Sequence, residues 1–380
     1  MSEKSVLKNV QEMYDNFIEK EVDDLVTAND QKQTIPTGIQ LLDLFLGGGM
    51  VVGGLSCVAG RPGCGKTTLA GNVIGNAQKV YEGKVLGLYL DSENAMSTFR
   101  LAQLGVVNPK IKVREAKTVE QVFKIIDTTC RFLDENKDKF NDFKTVIIWD
   151  SIANTKTEKD SESDNINDTI GLRARLLSAL LPKYLDKLEK YNISLIAINQ
   201  FRDKIQMGLF KQPSDLRYLS GEKMLPGGNA LQYNISQLIE LRESAILEEK
   251  QYGFNGIVVR AKCIKSRLFA PNIEFEMILD YNSGFDNFWT NYNLLRAEKR
   301  MTSGRWSKLT NQPEATWNGT RGAYLKYIED AEFKKMWDKE VSDIISELST
   351  RYRPLPGEVN KNMNIVEENI DSGNDVVDLN

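Results

Sequence analysis

The sequence contains no histidine. That excludes a Ser-His-Asp or Cys-His nucleophile system, every His-ligated zinc or iron site, and imidazole acid–base catalysis. Proton chemistry must run through carboxylates, lysines or positioned water. Cysteine is also scarce: Cys57, Cys64, Cys130 and Cys263 form no C-x-x-C pair, which argues against a structural zinc or redox dithiol and for a reduced, cytoplasmic chain. No apolar run approaches the roughly 20 residues of a membrane span. The opening MSEKSVLKNVQEMYDNF has no apolar signal-peptide core. With 380 residues, 41% hydrophobic and 27% charged, the chain can bury a core and has room for two or three domains.

The net charge of −4 hides local asymmetry. Positions 296–326 carry seven Lys/Arg against two Asp/Glu, whereas 358–380 carry six acids, one lysine and no aromatic. The tail from 353 onward is expected to be an acidic, solvated segment. Residues 4–29 mix apolar and charged positions at helical spacing and predict an amphipathic helix within an N-terminal segment, 1–33. From 34 to 290, short β-branched runs alternate with longer amphipathic ones. Strands are expected at LSCVAG (55–60), KVLGLYLD (84–91), KTVIIWD (144–150), SLIAIN (194–199) and QLIELR (237–242), with helices over 66–81, 94–104, 118–136 and 172–191. This alternation predicts an α/β core with a mostly parallel sheet covered on both faces. GIVVRAKCIKS (256–266) and IEFEMILD (273–280) alternate with period two and suit antiparallel additions. Residues 291–352 turn basic and aromatic, then helical from about 321, and suggest a small C-terminal domain.

The strongest local signal is Gly60-Arg61-Pro62-Gly63-Cys64-Gly65-Lys66-Thr67, followed by Thr68. It satisfies G-x-x-x-x-G-K-[ST] between an expected strand and an expected helix, the context a phosphate-binding loop requires. Glycines let backbone N–H groups point inward at phosphate oxygens, Lys66 reaches the β/γ-phosphates, and the Thr67 hydroxyl suits Mg²⁺. The reading implies ATP and Mg²⁺. KTVIIWD supplies Asp150 at a strand end as the second metal-side residue, and KVLGLYLD runs into Asp91-Ser92-Glu93. With no histidine available, Glu93 is the best candidate to polarise an attacking water. A surface-loop carboxylate is the alternative for Glu93.

These motifs, in this order, resemble the RecA-type strand-exchange ATPases, including their bacteriophage versions. The resemblance covers roughly 34–330 and rests on IPTGIQLLDLFLGGGM, the phosphate loop, DSENAMSTFRLAQLG, DSIANTK…GLRARLLS, and NQFRDKIQMG…PGGNALQY. It implies a RecA-like core with DNA-binding loops at 151–171 and 201–228. It implies Gln200 as the γ-phosphate sensor, Ile170 and Ile205 as wedges between bases, and Arg173, Arg175, Ser178, Arg202 and Lys204 as phosphate contacts. Gly227, Gly228 and Asn229 would bring backbone amides to phosphates. Arg100 and Tyr281 fall beside the adenine, and Tyr233 at a subunit interface. Lys265 and Arg267, expected on one face of a strand, would reach the ATP of a neighbouring subunit.

By the same resemblance the chain would bind single- and double-stranded DNA and form a helical filament of identical subunits, the N-terminal helix packing on the next subunit. It would work with a single-strand-binding protein and a loader, in a bacterial cytoplasm if phage-encoded. Two positions depart from the family: Arg100 stands where an aromatic often stacks on adenine, and Pro182 replaces a helix arginine. The loop 151–170 is also acidic, with five acids against two bases; 201–228 has five bases against three acids, with Phe201, Phe210 and Tyr218 interleaved. A hexameric helicase on the same core and a non-hydrolysing DNA-binding mediator remain as alternatives.

Overall fold

The structure, a computed structural model, describes residues 32–94, 96–107, 111–162, 171–203 and 223–352. The expected N-terminal helix, the acidic tail, and Ile170, Lys204 and Ile205 lie outside the described residues. The strands are β1 (Thr34–Ile35), β2 (Met50–Val51), β3 (Gly54–Gly60), β4 (Val85–Asp91), β5 (Ile111–Glu115), β6 (Lys144–Asp150), β7 (Ile193–Asn199), β8 (Arg202–Asp203), β9 (Lys223–Met224), β10 (Gln237–Leu247), β11 (Gly256–Ser266), β12 (Ile273–Asp280), β13 (Gly284–Asp286), β14 (Trp306–Lys308) and β15 (Thr316–Asn318). The principal helices among the described residues are α1 (Gln40–Leu46), α2 (Lys66–Val80), α3 (Thr98–Gln103), α4 (Val119–Glu135), α5 (Leu172–Lys190), α6 (Gly228–Asn234), α7 (Asn287–Ala297), α8 (Gly319–Glu329) and α9 (Ala331–Tyr352).

Among the described residues, nine strands make one sheet in the order β13-β12-β11-β10-β3-β7-β6-β4-β5. It is parallel from β10 through β5 and antiparallel from β10 out to β13. The fold is therefore the mixed α/β architecture that the alternating runs predict. Alternate residues divide between the two faces, as strand geometry requires. Val146, Ile148, Ile196 and Ile198 face the layer with α1, α2 and α7. Ile147, Trp149, Leu195 and Ala197 face α4 and α5. Burial on both sides explains why β6 and β7 read as unbroken apolar runs.

The boundaries differ from expectation where local chemistry intervenes. β10 continues past Arg242 to Leu247 because β11 pairs with it that far; β3 ends at Gly60 opposite Leu241, so among the described residues β10 then pairs only with β11, and Arg242–Ile246 face solvent. α3 starts at Thr98 rather than at 94, since Asp91 takes the Glu93 and Met96 amides and Ser97 caps the Arg100 amide. α4 begins with a Thr118–Gln121 capping box. β5 carries charges on its exposed positions, which hid it from the apolar pattern. Pro182 lies inside α5, which runs on through it.

The segment before the phosphate loop is held by a buried amide absent from the sequence reading. Gln237 accepts from Val51 N (3.0 Å) and Ser56 Oγ (2.7 Å), and donates to the carbonyls of Leu46 (3.0 Å) and Gly49 (2.9 Å). All of its hydrogen-bonding capacity is used, so its burial costs little. Gly49, at φ +131°, is required here: a Cβ would lie 2.2 Å from Ile35 O. Beyond β13, α7 crosses position 290. Its Phe288, Trp289 and Tyr292 join Trp317, Phe333 and Trp337 in an aromatic cluster beneath the β14–β15 hairpin, α8 and α9.

Candidate nucleotide- and DNA-binding site

Four neighbouring strands, β3, β7, β6 and β4, deliver their C-terminal ends to one edge of the sheet. In that order they carry the Gly60–Thr67 loop, Gln200, Asp150, and Asp91 leading to Glu93. Ligands of open α/β sheets bind at this edge.

The loop is folded around its own lysine. Lys66 is buried (7% exposed), and its Nζ donates to Arg61 O at 2.7 Å; Cys64 Sγ donates to the same carbonyl at 2.9 Å. Gly65 caps α2 at φ +90° with no side-chain cap, leaving helix amides available to an anion. Thr67 Oγ1 donates to Asp150 Oδ2 at 2.8 Å, and the Tyr89 hydroxyl donates to that oxygen at 2.6 Å. Thr68 follows in the first turn of α2. Burial pushes the Asp150 carboxyl above the usual carboxylate range; the two hydrogen bonds oppose this, and the charges of Glu93 and Asp91 add to it.

This arrangement fits a magnesium ion held chiefly by non-protein oxygens. Among the described residues no cluster of three or more His, Cys, Asp or Glu could form a cage. Mg²⁺ ordinarily keeps several waters and takes one or two protein ligands plus phosphate oxygens. Thr67 and Asp150 offer a hydroxyl and a carboxylate in contact, which is enough.

Asp91 is buried and committed to backbone amides, 3.0 Å from Glu93 N and 2.8 Å from Met96 N. Glu93 is exposed, and its Oε1 accepts from Ser151 Oγ (3.1 Å) and from Asn154 Nδ2. Gln200 follows β7 with its amide on Asn199 Oδ1 (2.9 Å), while Asn199 Nδ2 donates to Pro226 O (2.8 Å). Buried Asn199 thus ties together the two ends of the 201–228 segment, whose stem is the β8–β9 pair. Arg202 lies on β8 by its backbone. A pocket of about 470 Å³ beside the loop is lined by Arg61, Pro62, Cys64, Phe201, Leu241 and Arg242, among others.

On the rim, Arg100 Nη1 donates to the carbonyls of Tyr281 (2.9 Å) and Asn282 (3.0 Å). The two rim residues named in the sequence are therefore neighbours. On the other face, Gly228 at the start of α6 lies against Ala174 of α5, so the first turns of the two helices pack together; Gly227 is buried there and Asn229 is exposed. Arg175 and Ser178 are exposed. Ser178 Oγ donates back to Ala174 O (2.8 Å), and Arg173 Nη1 donates to Ala153 O (2.6 Å) and Thr155 O (3.2 Å). Lys265 Nζ donates to Gln232 O (3.0 Å) and Tyr233 O (2.9 Å) at the end of α6. Burial, then the Arg267 charge, lowers its pKa. Arg267 falls one residue beyond β11, with its amide on Ser236 O.

Tyr89, Asn154 and Asn199 were missed in the sequence. Tyr89 had a signal: an aromatic hydroxyl in an otherwise aliphatic strand needs a partner when buried. Asn154 and Asn199 had none, because Glu93 and Pro226, the partners that tie them into the site, are remote in sequence.

A phosphate loop, a strand-end aspartate in contact with its threonine, and a glutamate on the adjoining strand define a P-loop nucleotide-binding α/β protein. A family model of the RecA N-terminal domain matches residues 4–286. Over 257 residues the chain is 31% identical to Protein RecA of Thermus aquaticus, an alignment covering 67% of this chain and 69% of that protein. The chain belongs to the RecA family of recombinases.

Proposed function

We infer that the protein is a DNA-dependent ATPase that forms a helical filament on single-stranded DNA and catalyses pairing and strand exchange with a homologous duplex. The observation that carries this is the shared edge: Gln200, two residues before the β8–β9 stem of the 201–228 segment, follows β7, the strand between those of the phosphate loop and Asp150. A nucleotide at the loop and DNA at that segment would both bear on one short stretch of chain. Differential affinity of the nucleotide states for DNA is what such coupling requires.

In this reading Lys66 and the loop amides hold the ATP phosphates, and Glu93 orients a water for in-line attack on the γ-phosphate, accepting its proton as ADP leaves. Thr67 and Asp150 would hold Mg²⁺, which would supply positive charge against the phosphates. Gln200 reads the γ-phosphate with an amide that both donates and accepts. Arg100 and Tyr281 flank the adenine. Gly227–Asn229, Arg173, Arg175, Ser178 and the 201–228 segment, including Arg202, Lys204 and Ile205, meet DNA, with Ile170 from the first loop.

Lys265 and Arg267 serve the ATP of the next subunit. The register supports this: Lys265 pairs with Leu238 beside Cys57, whereas the phosphate loop begins at Gly60 beside Leu241, so Lys265 lies back from its own site. Residues 4–29 would pack on the adjacent core, and a single-strand-binding protein and a loader would prepare the DNA.

A strand-exchange assay with a labelled oligonucleotide and homologous duplex tests the reading, with Lys66→Ala alongside. ATP-dependent product from the wild type and none from Lys66→Ala is expected. Unwinding without exchange, with rings under the electron microscope, would indicate a helicase instead. DNA binding without turnover would indicate a mediator.

A further inference from the structure

Glu93 is an exposed, flexible side chain, and an unrestrained glutamate loses on the order of 1.5–2 kcal/mol of rotamer entropy when it is fixed. In this protein it is already fixed. Ser151 Oγ and Asn154 Nδ2 converge on Oε1, and Asn154 Nδ2 also bonds Ser151 Oγ at 3.2 Å. Both donors fall on one oxygen, Oε1.

The turn carrying Asn154 is itself pinned. Trp149 Nε1, fully buried, donates to Thr155 Oγ1 at 2.8 Å, and Thr155 Oγ1 donates to Ser151 O at 2.8 Å. From the other side, Arg173 of α5 donates to the carbonyls of Ala153 and Thr155, the two residues flanking Asn154. A side chain with no packing of its own is thus aimed by a buried indole and a helix-borne guanidinium.

We propose that Asn154 is a positioning residue for hydrolysis: it sets the orientation of the Glu93 carboxylate, and Arg173 at the start of α5 sets Asn154. This rests on the reading of Glu93 as the water-orienting group. It adds a hydrogen-bonded path, through the side chains of Arg173 and Asn154, from the start of α5 to the hydrolytic carboxylate. Misplacing a reacting group by about 1 Å can cost on the order of 10²-fold in rate, so loosening one of two anchors should cost about 10-fold.

The test is steady-state ATP hydrolysis by the full chain, with saturating single-stranded DNA, for wild type, Asn154→Ala, Asn154→Asp, Glu93→Gln and the Glu93→Gln/Asn154→Ala double variant. Asn154→Ala should lower kcat about 10-fold with KM for ATP and DNA affinity within about twofold. Asn154→Asp, which sets a second carboxylate against Glu93, should fall further. The double variant should be no slower than Glu93→Gln alone, because Asn154 acts only through Glu93. Since Asn154 is exposed, its truncation opens no cavity, and unchanged melting temperatures would confirm intact folding. If Glu93→Gln turned over normally, the reading of Glu93 would fail. If Glu93→Gln were inactive while either Asn154 variant kept full kcat, or if the losses added in the double variant, this inference alone would fail.

Discussion

The Tyr89 hydroxyl and the Asp150 carboxylate, on adjacent strands, are in contact at 2.6 Å, on the same oxygen that takes the Thr67 hydroxyl. The register explains the geometry: β4 and β6 are parallel, Tyr89 beside Ile148 and Asp91 beside Asp150. A buried tyrosine two residues back therefore reaches forward to the carboxylate. Burial and the Asp150 charge together push the Tyr89 phenol far up, so it remains a donor at any working pH.

Tyr89→Phe should weaken magnesium binding without touching the phosphate loop. Groups that orient a ligating carboxylate typically contribute 10- to 100-fold in metal affinity. The Mg²⁺ concentration for half-maximal ATP hydrolysis should rise about 10-fold or more, with hydrolysis recovering at high Mg²⁺. An unchanged Mg²⁺ titration would mean that Thr67 alone orients Asp150.

Gly65→Ala should be damaging for two separate reasons. At φ +90° an alanine is strained, and its Cβ would stand 2.5 Å from Leu279 Cδ1 and 3.0 Å from the Phe285 ring, both parts of the core. Overpacking costs typically 1–3 kcal/mol and positive φ adds to it, so a total of about 2–4 kcal/mol is expected. Urea denaturation would read the loss, and binding of a fluorescent ATP analogue should weaken sharply. Wild-type stability would mean that β12 yields at this point.

What could be read from the sequence follows from how local each signal is. The phosphate loop is a contiguous pattern, and the Lys144–Asp150 strand is a continuous buried run, so both were legible. The Glu93 anchor was not, since its donors lie 58 and 61 positions away and only the β4–β6 register brings them together. Gln237 was equally silent: a polar residue opening an apolar strand gives no hint of four partners around Leu46, Gly49, Val51 and Ser56. Lys265 and Arg267 were expected on one strand face. The structure leaves Arg267 just past the end of β11, where the chain still bonds to Ser236 but is no longer regular.

Stability should depend on pH through Asp43, in the first turn of α1. Burial pushes its carboxyl up to about 6, against hydrogen bonds from Thr37 that favour the ionised form. The folded chain therefore keeps a proton that the unfolded chain has released by about pH 4. Protons bound in excess by the folded state make stability fall as pH rises, here between about 4 and 6. Asp43→Asn removes this titration and keeps an acceptor for the Thr37 amide. The variant should gain on wild type across that window, reaching on the order of 2–3 kcal/mol at pH 7. Denaturant melts of both proteins at pH 4, 5, 6 and 7 check it; a difference independent of pH would place the Asp43 pKa near that of a free aspartate.

Mixing experiments can decide whether Lys265 and Arg267 act across subunits. Lys265 Nζ is bonded to Gln232 O and Tyr233 O in its own chain, and Tyr233 is 62% exposed, a large aromatic surface beside a charged pair. That placement suits a contact face more than a solvated strand, because exposed aromatics flanked by cations are common at interfaces. The Lys265→Ala/Arg267→Ala variant should keep its own ATP binding and lose DNA-stimulated hydrolysis by about 10³-fold, the scale of a charge supplied in trans to phosphoryl transfer. Lys66→Ala should be inactive for the opposite reason, a damaged acceptor with an intact donor face. Combined in equal amounts on single-stranded DNA, the two chains should regain activity, since about one junction in four of a random mixed filament pairs a sound loop with a sound Lys265–Arg267 pair. With co-assembly confirmed by fluorescence transfer between differently labelled chains, an absence of rescue would mean that both residues act within their own subunit.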